Sequence, residues 1–341
     1  MSNDAASQKP TSRNAWFARF GLGIIILAIL LWWQGAPIIS TFTGVPWWTI
    51  LAAVASYWIL QLLCAWKWQL LLNSALRESD SAAAPLSLFS CARFYLAGMF
   101  WNLWMPSSIG GDAARAYMAG KECGRLSLAA SAVFMDRLSG LIALLIIGAC
   151  AVLAGNFNGI SQESNALGQS AHLLWLAGLL LAVLLIILIA GRFFSSRLAA
   201  SENAVIARVA SKIESLHRSL DLYRKPGTRP VLIIAFLLSV LFQLGLIGLN
   251  TGLALVVHLP LSFFVYWWLV PALALASLLP VGIGGLGVRE AAAVALVGSL
   301  VTAAGGQMAD LIAWSLLWQA TLWLAGLPGA WSGVTVKKGI E

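Results

Sequence analysis

Residues 20–39 form one predominantly apolar run, and comparable runs recur at 47–64, 126–153, 173–190, 231–257 and 311–327. At a rise of about 1.5 Å per residue, twenty helical residues match the ~30 Å hydrocarbon core of a bilayer. The pattern predicts an all-α polytopic membrane bundle with about six full spans. Composition agrees: 60% of the residues are hydrophobic and only 10% charged, against roughly 25% charged in a soluble domain. A soluble enzyme, a nucleic-acid-binding protein and a disordered chain are excluded. The first run exceeds the apolar core of about 7–15 residues in a signal peptide, and no convincing cleavage site follows it, so it reads as a retained helix.

Charge sets the orientation. With the amino terminus inside, the outer segments 40–46, 155–171, 258–261 and 304–308 contain no Lys or Arg. Lys67, Arg77, Arg93, Arg115, Lys121, Arg125, the stretch from Arg192 to Arg229, Lys337 and Lys338 all fall inside. This is a positive-inside distribution, and it predicts a multi-pass protein of the bacterial cytoplasmic (inner) membrane with both termini cytoplasmic. The expected layout is a tail at 1–19, a single transmembrane domain at 20–331 and a tail at 332–341. Within the connector 192–229, Val205, Ile206, Val209, Ile213, Leu216 and Leu220 recur at helical spacing opposite basic residues, as in an amphipathic surface helix.

Two further apolar regions are interrupted. The first contains Pro106, then Gly110-Gly111, then Arg115; the second contains Pro280, then Gly284-Gly285, then Arg289. The offsets are identical. The flanking order also repeats, with repeat 1 at 20–153 and repeat 2 at 173–327. One copy starts inside and the other outside, which predicts an inverted repeat with two re-entrant broken hairpins. Backbone freed by Pro and Gly cannot face lipid; it survives at membrane depth only in protein or beside a wet cavity.

Charges gather at the same breaks: Asp112, Arg115, Asp136, Arg137, Arg289 and Glu290. An unpaired charge at the centre of a membrane helix costs roughly 2.5–3.5 kcal/mol on insertion scales. These residues either form local pairs, Asp112 with Arg115 and Arg289 with Glu290, or face a ligand, for which arginine suits phosphate oxygens. Asp136 and Arg137 can alternatively snorkel to the inner interface. Arg93 and Asn102 precede the first break, and Asn102 can bond freed backbone or a ligand. Of the tryptophans, Trp32, Trp33, Trp47, Trp48, Trp66, Trp68 and Trp331 read as interface belts, and Trp101 and Trp104 flank the first break. Cys64, Cys91, Cys123 and Cys150 match no metal spacing and read as packing residues.

No catalytic motif is legible, and His172, His217 and His258 lie far apart. No cofactor, metal or nucleic-acid partner is expected. The stretches FYLAGMFWNLWMPSSIGGDAARAYMAGKE, VFMDRLSGL and LLPVGIGGLGVRE, in that order, resemble the transmembrane family shared with the flippase part of lysylphosphatidylglycerol synthases. The likeness spans about 20–331. It implies a helical bundle with re-entrant hairpins and lipid translocation between leaflets. It transfers site roles to Asn102, Pro106, Gly110, Gly111, Asp112, Arg115, Asp136, Arg137, Pro280, Gly284, Gly285, Gly287, Arg289 and Glu290. The synthases carry a soluble aminoacyl-transfer domain after this region and this sequence does not, so lysyl transfer is not implied. The expected function is a lipid flippase or transporter-like protein acting on membrane lipids with anionic or phosphate-bearing head groups, with oligomers possible. A non-transporting partner of a lipid- or envelope-synthesis complex and an integral-membrane transferase are the alternatives.

Overall fold

The structure, a computed structural model, describes residues 37–79, 84–104, 109–157, 214–277 and 285–331, with 25, 28, 29 and 32. All regular elements among them are helical. The main helices are α1 (Trp47–Glu78), α2 (Leu88–Trp104), α3 (Ile109–Glu122), α4 (Leu126–Phe157), α5 (Arg229–Val256), α6 (Phe263–Ala276), α7 (Val288–Ala303) and α8 (Met308–Gly326). Among the described residues, four stretches are long and apolar enough to cross a bilayer: Trp47–Glu78, Leu126–Ala154, Pro226–Val256 and Met308–Trp331. The chain is a multi-pass membrane protein. Of the other two expected spans, 173–190 lies outside the described residues and 20–39 largely so. Most of the amphipathic connector lies outside them as well.

Helix α1 corrects the expectation that its span closes at residue 64. Pro46 stands in extended conformation before it, and no Gly or Pro interrupts the 32 residues to Glu78. At about 1.5 Å per residue it reaches about 48 Å, well past the ~30 Å core. The added length is held by protein rather than lipid: Trp68, Leu71, Leu72 and Ala75 are fully buried. Tyr223, from the connector, donates to the Leu71 carbonyl (3.1 Å). Burial pushes its phenol above the ordinary range, so it stays a neutral donor.

α5 lies antiparallel along α1. Leu60 packs on Gly245 near the middle, and Glu78 meets Gly227 at one end. The outward faces of the two helices are strongly apolar, with Ile59, Leu62, Ile233, Leu237, Leu241 and Leu255 all exposed. Such a surface suits lipid contact.

α2 and α3 fold back on one another, as do α6 and α7. The first pair is tied by Arg93 to Glu122 at its open end and by Asn102 to Gly111 at its closed end. The second has Pro260 against Gly306 at one end and Ser277 against Gly285 at the other. Each arm has between 14 and 17 residues, roughly 21–26 Å, short of the ~30 Å core. α4 packs on α6 and α5, and α8 packs on α2 and α1. Among the described residues two large apolar cores result, beside a small cluster of Ile38, Ala309 and Ile312. One gathers the second half of α1 with α2, α3 and the start of α4; the other gathers α6, α7 and α8 with the end of α4.

Candidate functional site

The site begins with a backbone contact. The Gly111 amide donates to Asn102 Oδ1 (2.8 Å). A Cβ at Gly111 would strike the Gly98 carbonyl and the Asn102 side chain. Only glycine lets α2 and α3 approach so closely. The contact fixes the start of α3, where Asp112 stands in the first turn, favourable for a carboxylate near a helix N-terminus.

Arg115 follows one turn later and is the centre of a buried ion network. Its Nη2 donates to Asp136 Oδ2 (2.8 Å) and lies 3.1 Å from Asp112 Oδ1. Its Nε and Nη1 have no hydrogen-bond partner among the described residues. The guanidinium sits instead over the rings of Tyr95 (4.5 Å) and Trp68 (5.3 Å), a cation–π arrangement that partly replaces lost hydration. Lys67 of α1 completes the network: Nζ is 2.9 Å from Asp136 Oδ1 and donates to Ser239 Oγ (2.9 Å) and the Asp136 carbonyl (3.2 Å). Tyr95 also donates to Asp136 Oδ2 (3.4 Å). Asp136 is only 2% exposed, so it does not snorkel. Arg137 grips Asp112 in a fork, at 2.6 and 2.5 Å, and its side chain is 49% exposed.

The second half is built differently. Gly285 and Gly287 have φ of +85° and +83°, in the region that favours glycine. Glu290 then caps α7, accepting from the Gly287 amide (2.6 Å) and from Ser315 Oγ (2.9 Å). The local Arg289–Glu290 pair does not form, because the carboxylate is taken by the helix start and by α8. Arg289, 7% exposed, donates to Gln319 Oε1 (3.3 Å) and lies 5.9 Å from the Trp318 ring. Among the described residues it has no carboxylate within ion-pair distance. Trp318 in turn meets Tyr57 of α1 edge-on, with centroids 5.4 Å apart.

A cavity of about 470 Å³ joins the two halves, within the ~300–1,000 Å³ usual for small-molecule sites. Its wall includes Asn102 and Asp112 from the first hairpin and Ser277, Gly285 and Arg289 from the second. Lys67, Arg115, Arg137 and Arg289 stand against two lining carboxylates, Asp112 and Asp136, so the wall carries surplus positive charge.

The structure therefore brings Asn102, Gly111, Asp112, Arg115, Asp136, Arg137, Gly285 and Arg289 to one place. Gly287 and Glu290 support it from behind. Gly111 acts through helix packing. Arg93 does not reach the cavity; it pairs with Glu122 (3.4 Å) and lies over Phe94. Gly110 is also absent from the wall. Pro106, Pro280 and Gly284 lie outside the described residues. Two readings need correction. Lys67 is not a loop charge but a buried member of the network, because α1 continues past it. Trp68 is not an interface residue but lies buried beside Arg115. Trp101 is exposed and does not line the cavity. The sequence reading missed Tyr57, Gln61, Gln243, Asn250 and Gln319, although polar side chains amid apolar spans are a signal in themselves.

The family described as "lysylphosphatidylglycerol synthase TM region" matches residues 20–329. This chain belongs to that family. No curated protein and no solved structure matches it significantly. The whole cavity wall lies within the matched region.

Proposed function

We propose that this chain moves an anionic, phosphate-headed lipid between the leaflets of the cytoplasmic membrane. The observation that carries this reading is the single cavity walled by the closed ends of both hairpins, with more cations than carboxylates. A head group would occupy it while the acyl tails stay in the bilayer. The activity is transport rather than catalysis.

An inverted-repeat architecture supports the reading. α1 pairs with α5, the α2–α3 hairpin with α6–α7, and α4 with α8. Packing recurs under this exchange: α4 on α6 and α5, α8 on α2 and α1. The first hairpin opens beside the end of α1, where Gln69 and Asn73 bond Leu86. The second opens beside the end of α5, through Leu259 and Pro260. Since α1 and α5 run antiparallel, the hairpins enter from opposite faces and stop at the middle. Re-entrant arms of this kind, meeting at a polar site, are the usual ground plan of alternating access.

The test is reconstitution in liposomes of phosphatidylcholine with a trace of head-group-accessible fluorescent phosphatidylglycerol. The expected result is faster loss of leaflet asymmetry than in protein-free vesicles, reduced at least tenfold by Arg289→Gln. Equal rates with and without protein, for anionic and zwitterionic lipids alike, would overturn the reading.

A further inference from the structure

The charges around the cavity are not equivalent. Lys67, Asp136 and Arg115 form a closed triad whose side chains are 5%, 2% and 2% exposed. Removing the carboxylate would leave buried Lys67 without a counter-charge and Arg115 with Asp112 alone, which is strongly destabilising. Asp112 is placed otherwise. It has two cationic neighbours, buried Arg115 at 3.1 Å and half-exposed Arg137 at 2.5 Å. If Asp112 leaves Arg137 it keeps Arg115, so no charge is stranded. Arg137 would then present its guanidinium fork to the cavity, a shape matched by phosphate oxygens as well as by a carboxylate.

Arg289 offers the complementary contact. It lines the same cavity from the second hairpin, and among the described residues it has only the Gln319 amide oxygen as a hydrogen-bond acceptor. Arg137, Arg289 and Tyr57 line the same cavity, and Trp318 lies against both Arg289 and the Tyr57 ring.

Resting on the transport reading above, we infer that Asp112 is an internal stand-in for the head-group phosphate. It holds Arg137 until its place is taken by a phosphate oxyanion, which Arg289 and Tyr57 contact from the other side. The exchange swaps one anion for another on Arg137, so it needs no proton or co-reactant. It also gives selectivity: a head group without an anion cannot displace a carboxylate from an arginine fork, and a zwitterionic one brings its ammonium against the surplus positive charge of the wall. The Lys67–Asp136–Arg115 triad takes no part except to hold Arg115 as the fallback partner of Asp112.

Binding is measured calorimetrically on detergent-solubilised chain with three probes: dihexanoyl phosphatidylglycerol, dihexanoyl phosphatidylcholine and inorganic phosphate. Wild type should prefer phosphatidylglycerol to phosphatidylcholine. Arg137→Gln and Arg289→Gln should each weaken phosphatidylglycerol binding at least tenfold. Asp112→Asn should tighten it several-fold, because the competing anion is gone; a merely structural aspartate would not do this. Unchanged or weaker binding in folded Asp112→Asn overturns the exchange. So does failure of both Asp112→Asn and Asp112→Ala to give folded protein, since Asp112 would then be a structural residue. Binding of inorganic phosphate but of neither lipid, with the same response to Asp112→Asn, supports the exchange and overturns the lipid reading. A wild-type chain that binds none of the three overturns the transport reading itself.

Discussion

Lys67 Nζ and Asp136 Oδ1 lie 2.9 Å apart, on helices whose contacting residues are separated by 69 positions in sequence. The pair joins α1 to α4 at a depth where neither charge reaches bulk water. Single replacement should therefore be far worse than joint replacement. Lys67→Met leaves Asp136 with Arg115 and Tyr95 only, and Asp136→Leu leaves Lys67 without a carboxylate and Arg115 with Asp112 alone. Breaking a buried pair costs about 3–5 kcal/mol, whereas replacing both partners by apolar groups is often near neutral. Thermal melting in detergent should show both single variants strongly destabilised and the double variant partly restored. Additive losses would mean that the two residues act separately.

A second prediction concerns the α2–α3 contact. The Cβ of alanine at Gly111 has nowhere to go, since it meets backbone of Gly98 as well as Asn102. Overpacking of this kind costs typically 1–3 kcal/mol, and backbone cannot swing aside as a flexible side chain does. Gly111→Leu should lower the melting temperature and the folded yield sharply. Asn102→Leu removes the cap on the Gly111 amide without a clash with backbone and should be milder. The two changes together should fall short of the sum of their separate effects, since both act on one contact.

Much of this architecture was readable because broken hydrophobic segments are conspicuous. Pro106 with Gly110-Gly111, and Pro280 with Gly284-Gly285, marked the breaks, and Asp112, Arg115 and Arg289 drew notice as charges beside them. Lys67 was misread for a physical reason. In sequence it ends an apolar run, as a loop lysine does, and its partner Asp136 stands on another helix. Nothing local separates a lysine solvated at an interface from one buried in a triad. The Arg289–Glu290 pair, one of the two readings that the sequence leaves open, is not formed, because the φ of Gly287 and the position of Ser315 turn Glu290 to capping α7 instead. Gln61, Gln243, Asn250 and Gln319 were legible in principle, each a polar residue inside an otherwise apolar helix.

Topology gives a third prediction. The segments proposed to lie outside hold no Lys or Arg, and Trp47 and Trp48 are exposed at the start of α1, as expected of residues at a membrane interface. Reporter fusions at positions 163 and 306 should read as periplasmic and a fusion after Glu341 as cytoplasmic. A periplasmic carboxyl terminus would place the two hairpins on the same side and remove the inverted repeat.

The last prediction tests whether the two halves share one wet cavity. Met99 lines it from α2 and Ser277 from the end of α6. Of the native cysteines, Cys150 is exposed and Cys64 lines the cavity, whereas Cys91 and Cys123 are buried away from it. Replacing Cys64 and Cys150 by serine gives a quiet background while the buried pair stays. Into it, Met99→Cys and Ser277→Cys are introduced one at a time. Thiolates react only where water reaches them, so a charged, membrane-impermeant maleimide should label both. Dihexanoyl phosphatidylglycerol, seated between Arg137 and Arg289, should then protect both positions over the same concentration range, with half-protection near its dissociation constant. Protection of one position without the other would mean that the hairpin ends line separate spaces. A head group could then not pass from one half to the other by way of a cavity that Arg137, Arg289 and Tyr57 line together.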